Sequence, residues 1–141
     1  MSSDNSSSRR RGVVAVAVRD QRLLVVRRSQ QVVAAGAYCF PGGGIEKGES
    51  EPQALIREIR EELAAAILPI RRLWQSVTPW GVGLAWWLSD LPPGEEPIPN
   101  PAEVESVGWY SPEEMAALPG LLESNRAFLE ALAAGEFDLE V

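Results

Sequence analysis

Apolar residues recur along this chain in two different periods. Residues 13–18 (VVAVAV) and 23–26 (LLVV) are apolar at nearly every position and rich in β-branched side chains. The four polar residues between them, Arg19-Asp20-Gln21-Arg22, read as the turn of a hairpin. A strand apolar on successive residues has both faces covered. Leu68 to Thr78 and Val82 to Leu88 predict a second strand pair around Pro79-Trp80-Gly81, and Ser106 to Tyr110 predicts the final strand. Four of the five tryptophans, Trp74, Trp80, Trp86 and Trp87, lie in this second pair, each readable as core or as a stacking surface. Adjacent Trp86 and Trp87 point to opposite faces of a strand, so at most one is expected in the core. Leu91 to Pro101 (LPPGEEPIPNP) carries too many prolines for a central strand and reads as a loop.

The other period is helical. Leu55, Ile56, Ile59 and Leu63 define a buried stripe. Ser50 is a good N-cap, Gln53 completes a capping box, and Pro52 is tolerated in the first turn, which sets the helix start at about residue 51. Ser111-Pro112-Glu113-Glu114 starts a short helix with acids favourable to its dipole. Leu121 to Ala134 forms the last helix, with Leu122, Phe128, Leu129 and Leu132 available to cover the sheet.

The polar side of the first helix is unusual. Glu58, Glu61 and Glu62 stand at i, i+3 and i+4, where like charges destabilise a helix by roughly 0.2–0.5 kcal/mol per pair. Either Arg57 and Arg60 make this a salt-bridged, solvated face, or a hard divalent cation such as Mg²⁺ takes the converging oxygens. Gly42, Gly43 and Gly44 precede it as a turn without side chains.

Composition narrows the chemistry. A chain of 141 residues, 45% hydrophobic and 23% charged, suits one soluble globular domain over 13–141. A formal charge of -7 argues against a nonspecific duplex-binding protein, so no stable nucleic-acid partner is expected. Residues 1–12 (MSSDNSSSRRRG) read as a flexible tail, since they have no apolar h-region; Arg9 to Arg11 could touch nucleic acid or merely solubilise. The longest apolar run, Val82 to Leu88, is too short to cross a bilayer, so no membrane partner is expected. A single Cys39 excludes an internal disulfide and suits a reducing cytoplasm. There is no histidine, which removes His-based triads and His general bases and leaves carboxylates with a metal. Five tryptophans and a proline-rich loop leave a homodimer open.

Gly43, Glu49, Arg57-Glu58-Ile59 and Glu61-Glu62 together have the spacing of the Nudix box, and residues 43–65 resemble that motif of the Nudix hydrolases at nearly every specified position. Gly36 to Gly43 resembles the lead-in before many such boxes, with Tyr38 in place of the usual tryptophan and Phe40-Pro41 fixing the approach to the glycines. One position departs. The small turn residue after Leu63 is usually glycine and is here Ala64, so the helix is expected to run slightly further.

The resemblance implies an α/β (α+β) fold, an α/β/α sandwich with a mixed β-sheet, and hydrolysis of a nucleoside diphosphate derivative. It implies Mg²⁺, with Mn²⁺ as the alternative, held by Glu58, Glu61, Glu62 and Glu103 together with the Gly43 carbonyl. Glu105 is the substitute for Glu103. Arg57 would hold the carboxylates in place, with Glu49 in support, and Glu61 or Glu58, then Glu103, would take the proton. Arg28 and Phe40 are the expected nucleotide contacts. Asn125 in LLESNRAFLEAL resembles the MutT-type segment that reads a guanine edge, against the plainer reading of an exposed helical asparagine. These likenesses favour a MutT-type nucleoside triphosphate pyrophosphohydrolase, with 8-oxo-dGTP as one substrate. The alternatives are an ADP-ribose or nucleotide-sugar pyrophosphatase, from the position of Pro79, and a catalytically silent nucleotide-binding module. Val32, where the coenzyme A lead-in has an arginine, and the lack of a tyrosine in the downstream region that marks dinucleoside polyphosphate hydrolases remove those two branches.

Overall fold

In the computed structural model, which describes residues 10–140, one mixed sheet carries the whole architecture. Its strands are β1 (Arg11–Arg19), β2 (Arg22–Arg28), β3 (Tyr38–Cys39), β4 (Gly42–Gly44), β5 (Leu68–Val77), β6 (Gly83–Asp90) and β7 (Val104–Tyr110). The main path runs β3-β2-β1-β6-β5, while β4 pairs with β1 and β7 with β2. Among the described strands β1 and β6 pair in parallel and the others antiparallel; the residues that cross between β1 and β6 include α1 (Glu51–Leu63). Two more helices, α2 (Pro112–Ala116) and α3 (Glu123–Ala133), follow β7.

The continuous apolar run of β1 is buried on both faces as expected, and its alternation divides two cores. Val13, Ala15 and Ala17 meet Leu55, Ile59 and Leu63 of α1 on one face. Val14 and Val16 join Met115 and Phe128, from α2 and α3, on the other. The expected sandwich is therefore present. Because both faces are covered, both tryptophans of the adjacent pair pack: Trp86 stacks on Phe128 at 4.9 Å, and Trp87 lies against the α1 core and donates Nε1–H to Glu51 Oε1 at 2.9 Å. The expectation that at most one would face the core is overturned. Trp80, at the tip of the β5–β6 connection, is 70% exposed.

Strand ends lie within two residues of those expected. β1 begins at Arg11, inside the stretch expected to be a tail; residues 1–9 lie outside the described residues. The β1–β2 turn holds Asp20 at φ 52 and Gln21 at φ 64, the positive values a two-residue type I′ turn requires. In α1 the Ser50/Gln53 capping box is formed as predicted. Ile56 is exposed, however, and Ala54 and Glu62 take buried positions instead. The helix also does not run on past Leu63. Ala64 adopts the left-handed conformation (φ 51, ψ 36) and donates its N–H to Arg60 O, doing what a glycine would do there.

The proline-rich loop is tied down at both ends. Arg19 Nη2 donates to Leu91 O (3.0 Å), Pro92 O (3.3 Å) and Glu95 O (3.4 Å), and its guanidinium lies 4.7 Å from the Trp109 ring centroid. Farther on, Ile98 N–H donates to Leu63 O (2.7 Å) and Asn100 N–H to Glu62 O (2.8 Å). The last carbonyls of α1, which have no donors within the helix, are satisfied by this loop. Among the described residues, no helix is long and apolar enough to cross a membrane.

Candidate active site

The three glycines form a short strand rather than a free turn. Gly42, Gly43 and Gly44 lie opposite Val14, Val13 and Gly12 of β1, and a Cβ on Gly42 would overlap the Val13 carbonyl. Backbone can approach β1 this closely only without a side chain. The same absence at Gly43 admits the Glu58 carboxylate, whose oxygens occupy the space a Cβ would need.

From this contact the site extends in both directions. A pocket of about 300 Å³ is lined by Gly43, Glu58, Glu62, Glu103, Cys39 and Arg28, among others. Beside it lies an open cleft of about 900 Å³ that shares Arg28 and the glycines and adds Arg10, Arg11, Lys47, Glu49 and Asn125. Three of the four expected carboxylates thus face one space. Glu61 does not line it; its side chain is half exposed and is reached by Arg57 Nη1 at 3.3 Å. Glu105, the expected substitute for Glu103, pairs instead with Arg27 (3.3 Å).

Arg57 organises the acidic face. Its guanidinium donates to Glu49 Oε2 (2.6 Å) and Oε1 (2.9 Å), Glu58 Oε2 (2.8 Å), Glu61 Oε1 (3.3 Å) and Gly44 O (2.8 Å). These bonds hold the Glu49 carboxyl at a pKa of about 2, with a smaller contribution from the Glu46 backbone. Glu62 is in the opposite situation. It is 8% exposed, and burial, with the like charges of Glu58 and Glu103 adding to it, pushes its carboxyl up to about 9. Burial also raises Glu58, against the pull of Arg57.

The donor set suits a hard divalent cation in kind. Oxygen ligands predominate, a backbone carbonyl strand runs alongside, and the buried Glu62 carboxylate has negative neighbours where it needs positive charge. With Arg57 engaging Glu58 and Glu61, no three carboxylates among the described residues stand at ligand distance from a common point. Cys39 faces the same pocket, but burial pushes its thiol up to about 11, so it remains neutral.

The expected nucleotide contacts Arg28 and Phe40 both border the site. Arg28 lines both the pocket and the cleft, and its Nε–H donates to Val33 O at 2.7 Å. Phe40 lines both as well, but it is only 4% exposed and its ring packs edge-on against Trp86 and Phe128. Asn125 is buried rather than exposed; its Oδ1 accepts the Phe40 N–H at 2.8 Å, clamping α3 to the glycine lead-in. Two residues, Lys47 and Asn100, went unnoticed in the sequence. Lys47 lines the cleft, and nothing in its local pattern marks it; Arg10, from the basic run at 9–11, lines it too. Asn100 anchors the loop that delivers Glu103, and the Asn100-Pro101 dipeptide is a turn signal that would have found it.

A profile of the NUDIX domain matches residues 8–132. Among curated proteins, the CTP pyrophosphohydrolase of Escherichia coli (strain K12) is 32% identical over 124 residues, covering 85% of this chain and 88% of that protein. The NAD-capped RNA hydrolase NudC of Stutzerimonas stutzeri (strain A1501) is 31% identical over 101 residues, 72% of this chain; the match spans only 37% of that protein. Among solved structures, a MutT NUDIX hydrolase from Burkholderia pseudomallei superposes with a TM-score of 0.71 at 28% identity, covering 86% of this chain and 95% of that one. The E. coli ORF135 protein gives 0.70 at 30% identity, with 89% of each chain covered.

Proposed function

The chain belongs to the Nudix family of hydrolases, and on that premise we propose that it is a divalent-cation-dependent pyrophosphohydrolase acting on a nucleoside triphosphate. Water breaks one anhydride P–O–P bond, between the α and β phosphorus atoms, and the products are a nucleoside monophosphate and pyrophosphate. The observation that carries this reading is the meeting of Glu58, Glu62 and Glu103 in one pocket beside a cleft bordered by Arg10, Arg11, Arg28 and Lys47. In a chain of net charge -7, a cleft lined by four cationic side chains and two carboxylates, Glu46 and Glu49, is a local exception suited to a polyphosphate.

Glu58, Glu62, Glu103 and the Gly43 carbonyl are the residues that would hold Mg²⁺ or Mn²⁺, with Glu61 at the margin. Such an ion neutralises phosphate oxygens and lowers the pKa of a water. The chain's own contribution is positional. Arg57 keeps Glu49 and Glu58 in fixed orientation, and the glycine strand lets Glu58 stand against the backbone. Of the two carboxylates named first for taking the proton, Glu58 lines the pocket and Glu61 does not, so we assign that role to Glu58. Arg28, Arg10 and Lys47 bind phosphate oxygens as point charges along the cleft. The triphosphate class is supported by the CTP pyrophosphohydrolase, which matches over most of both chains, and by the MutT hydrolase structure. Asn125, with its oxygen bound to Phe40, supports positioning of the lead-in more than selection of a base, so 8-oxo-dGTP remains one substrate among the triphosphates.

The test is product formation with Mg²⁺ from CTP, the dNTPs, 8-oxo-dGTP, ADP-ribose and NAD, beside Glu58→Gln. Pyrophosphate and monophosphate from triphosphates, lost in the variant, are expected. Preferential cleavage of ADP-ribose or NAD would replace the triphosphate reading with one for two-nucleoside or sugar diphosphates. No turnover of any compound would remove it.

A further inference from the structure

Asn100 does not line the carboxylate pocket, yet it is bonded to both sides of it. Its N–H donates to Glu62 O at 2.8 Å, and its side-chain Nδ2 donates to Glu61 O at 3.3 Å and to Glu103 Oε2 at 3.4 Å. In return its carbonyl accepts the N–H groups of Glu103 (2.9 Å) and Val104 (2.8 Å), and Oδ1 accepts that of Ala102 (3.2 Å). Glu61 and Glu62 belong to the last turn of α1, whereas Glu103 arrives on the proline-rich loop. We propose that Asn100 is a positioning residue for the reaction: it fixes the Glu103 carboxylate relative to Glu62 and thereby sets the pocket's affinity for its divalent cation. The inference rests on the cation reading given under the proposed function.

Capping of the helix accounts for the bonds to the Glu61 and Glu62 carbonyls but not for the one to the Glu103 carboxylate. The Leu63 and Glu62 carbonyls are already satisfied by the backbone N–H groups of Ile98 and Asn100, for which any non-proline residue at position 100 would serve. What the side-chain amide adds is a bridge from the helix end to the Glu103 carboxylate. A glutamate has three rotatable bonds, so a fixed backbone alone does not fix its oxygens. Here the backbone is fixed as well: Ser29 N–H donates to Glu103 O (3.1 Å) and Ser29 Oγ to Ala102 O (3.1 Å) from the end of β2. With the peptide pinned from β2 and the carboxylate oriented by Asn100, Glu103 lines the pocket together with Glu58 and Glu62. Partners of this outer kind typically change metal affinity about 10–100-fold when removed.

The experiment compares Asn100→Ala and Asn100→Ser, each alone and combined with Glu103→Gln, in the full chain. Serine retains a short acceptor for the Ala102 N–H but cannot span to Glu103. Mn²⁺ affinity of the protein without substrate is measured by electron paramagnetic resonance of free Mn²⁺, and thermal unfolding is followed without added cation. Each single variant is expected to bind Mn²⁺ about 10-fold more weakly and to lose kcat rather than raise KM. In the Glu103→Gln background the same change is expected to alter affinity less than about 2-fold, as coupled neighbours do in a double-mutant cycle. An equal loss in both backgrounds, or a fall in unfolding temperature with affinity unchanged, would overturn the proposal by making Asn100 a structural link alone. A wild-type chain that takes up no Mn²⁺ would overturn it together with the cation reading. Mn²⁺ uptake showing the coupled loss, without hydrolysis of any nucleotide, would uphold the positioning role and remove only the substrate reading.

Discussion

Arg57 and Glu49 meet fork to fork, Nε to Oε2 at 2.6 Å and Nη2 to Oε1 at 2.9 Å, and the pair is the fixed point from which Glu58 and the Gly44 carbonyl are also held. A bidentate guanidinium–carboxylate pair is both stronger and more directional than a single charged contact. It also has a pH signature. The Glu49 pKa is depressed from 4.5 to about 2, so its contribution to stability is fully present above 4.5 and is lost as pH falls toward 2. Glu49→Gln should therefore be less stable than wild type at neutral pH and converge with it between pH 4.5 and 2, measured by thermal unfolding across that range. A gap that stays constant to pH 2 would mean that Glu49 acts through packing and not through its charge.

Glu62 carries the opposite sign. Its carboxyl is raised from 4.5 to about 9, so the protonated form favours folding below 4.5 and that favour is lost as pH climbs through about 9. Without divalent cation, Glu62→Gln should stabilise the protein by roughly 1–3 kcal/mol at pH 7, with the gain growing as pH rises toward 9. Excess Mg²⁺ should raise the unfolding temperature of wild type and leave the variant nearly unmoved, because a ligand of the folded state stabilises in proportion to its affinity. Calorimetry with EDTA and with Mg²⁺ at several pH values checks both halves. If the variant is destabilised in EDTA, Glu62 is not held against its own charge.

Neighbouring glycines should fail in different ways. Gly42→Ala drives a Cβ into the Val13 carbonyl and within 3.0 Å of the Val14 Cα, both of which are backbone of the central strand. A loss of about 3 kcal/mol, the upper end for overpacking, is expected in urea unfolding. At Gly43→Ala the three nearest atoms all belong to the end of the Glu58 side chain, which can swing away. Its stability in EDTA should stay within about 0.5 kcal/mol of wild type, as surface changes do, while hydrolysis falls on the order of 100-fold because Glu58 is displaced. Equal stability losses at the two positions would contradict the difference between backbone and side-chain neighbours.

These site features were legible to unequal degrees in the sequence. The capping box at Ser50 and Gln53, the burial of β1 and the approach of Glu58, Glu62 and Glu103 follow from local chemistry and motif spacing, and all three are present. The outward turn of Glu61 was not legible, because spacing places three glutamates on one helix side but does not say that Arg57 and solvent will share one of them. The roles of Phe40 and Asn125 depend on a contact between residues 85 positions apart, which no local pattern encodes. Both members of the Trp86-Trp87 pair pack because helices cover both sheet faces, a layer arrangement that strand alternation alone does not reveal.

Ala64 is the clearest conflict between local preference and tertiary demand, and it yields the sharpest stability prediction. At φ 51 its Cβ is strained by about 1–2 kcal/mol, yet the loop tied to the carbonyls of Glu61, Glu62 and Leu63 leaves the chain no room to continue as helix. The Ala64 side chain is exposed, so replacing it with glycine removes the strain without opening a cavity. Glycine gives back roughly 0.4–1 kcal/mol through its freer unfolded chain. The net expectation for Ala64→Gly is a gain of about 0.5–1 kcal/mol, or roughly 2 °C in unfolding temperature. Ala127→Gly is the control, since Ala127 is equally exposed but lies inside α3, where glycine costs about 1 kcal/mol. Opposite signs for the same substitution would establish that the left-handed turn at Ala64 is held against its own preference by the loop. A loss of stability at both sites would mean that the turn carries no strain.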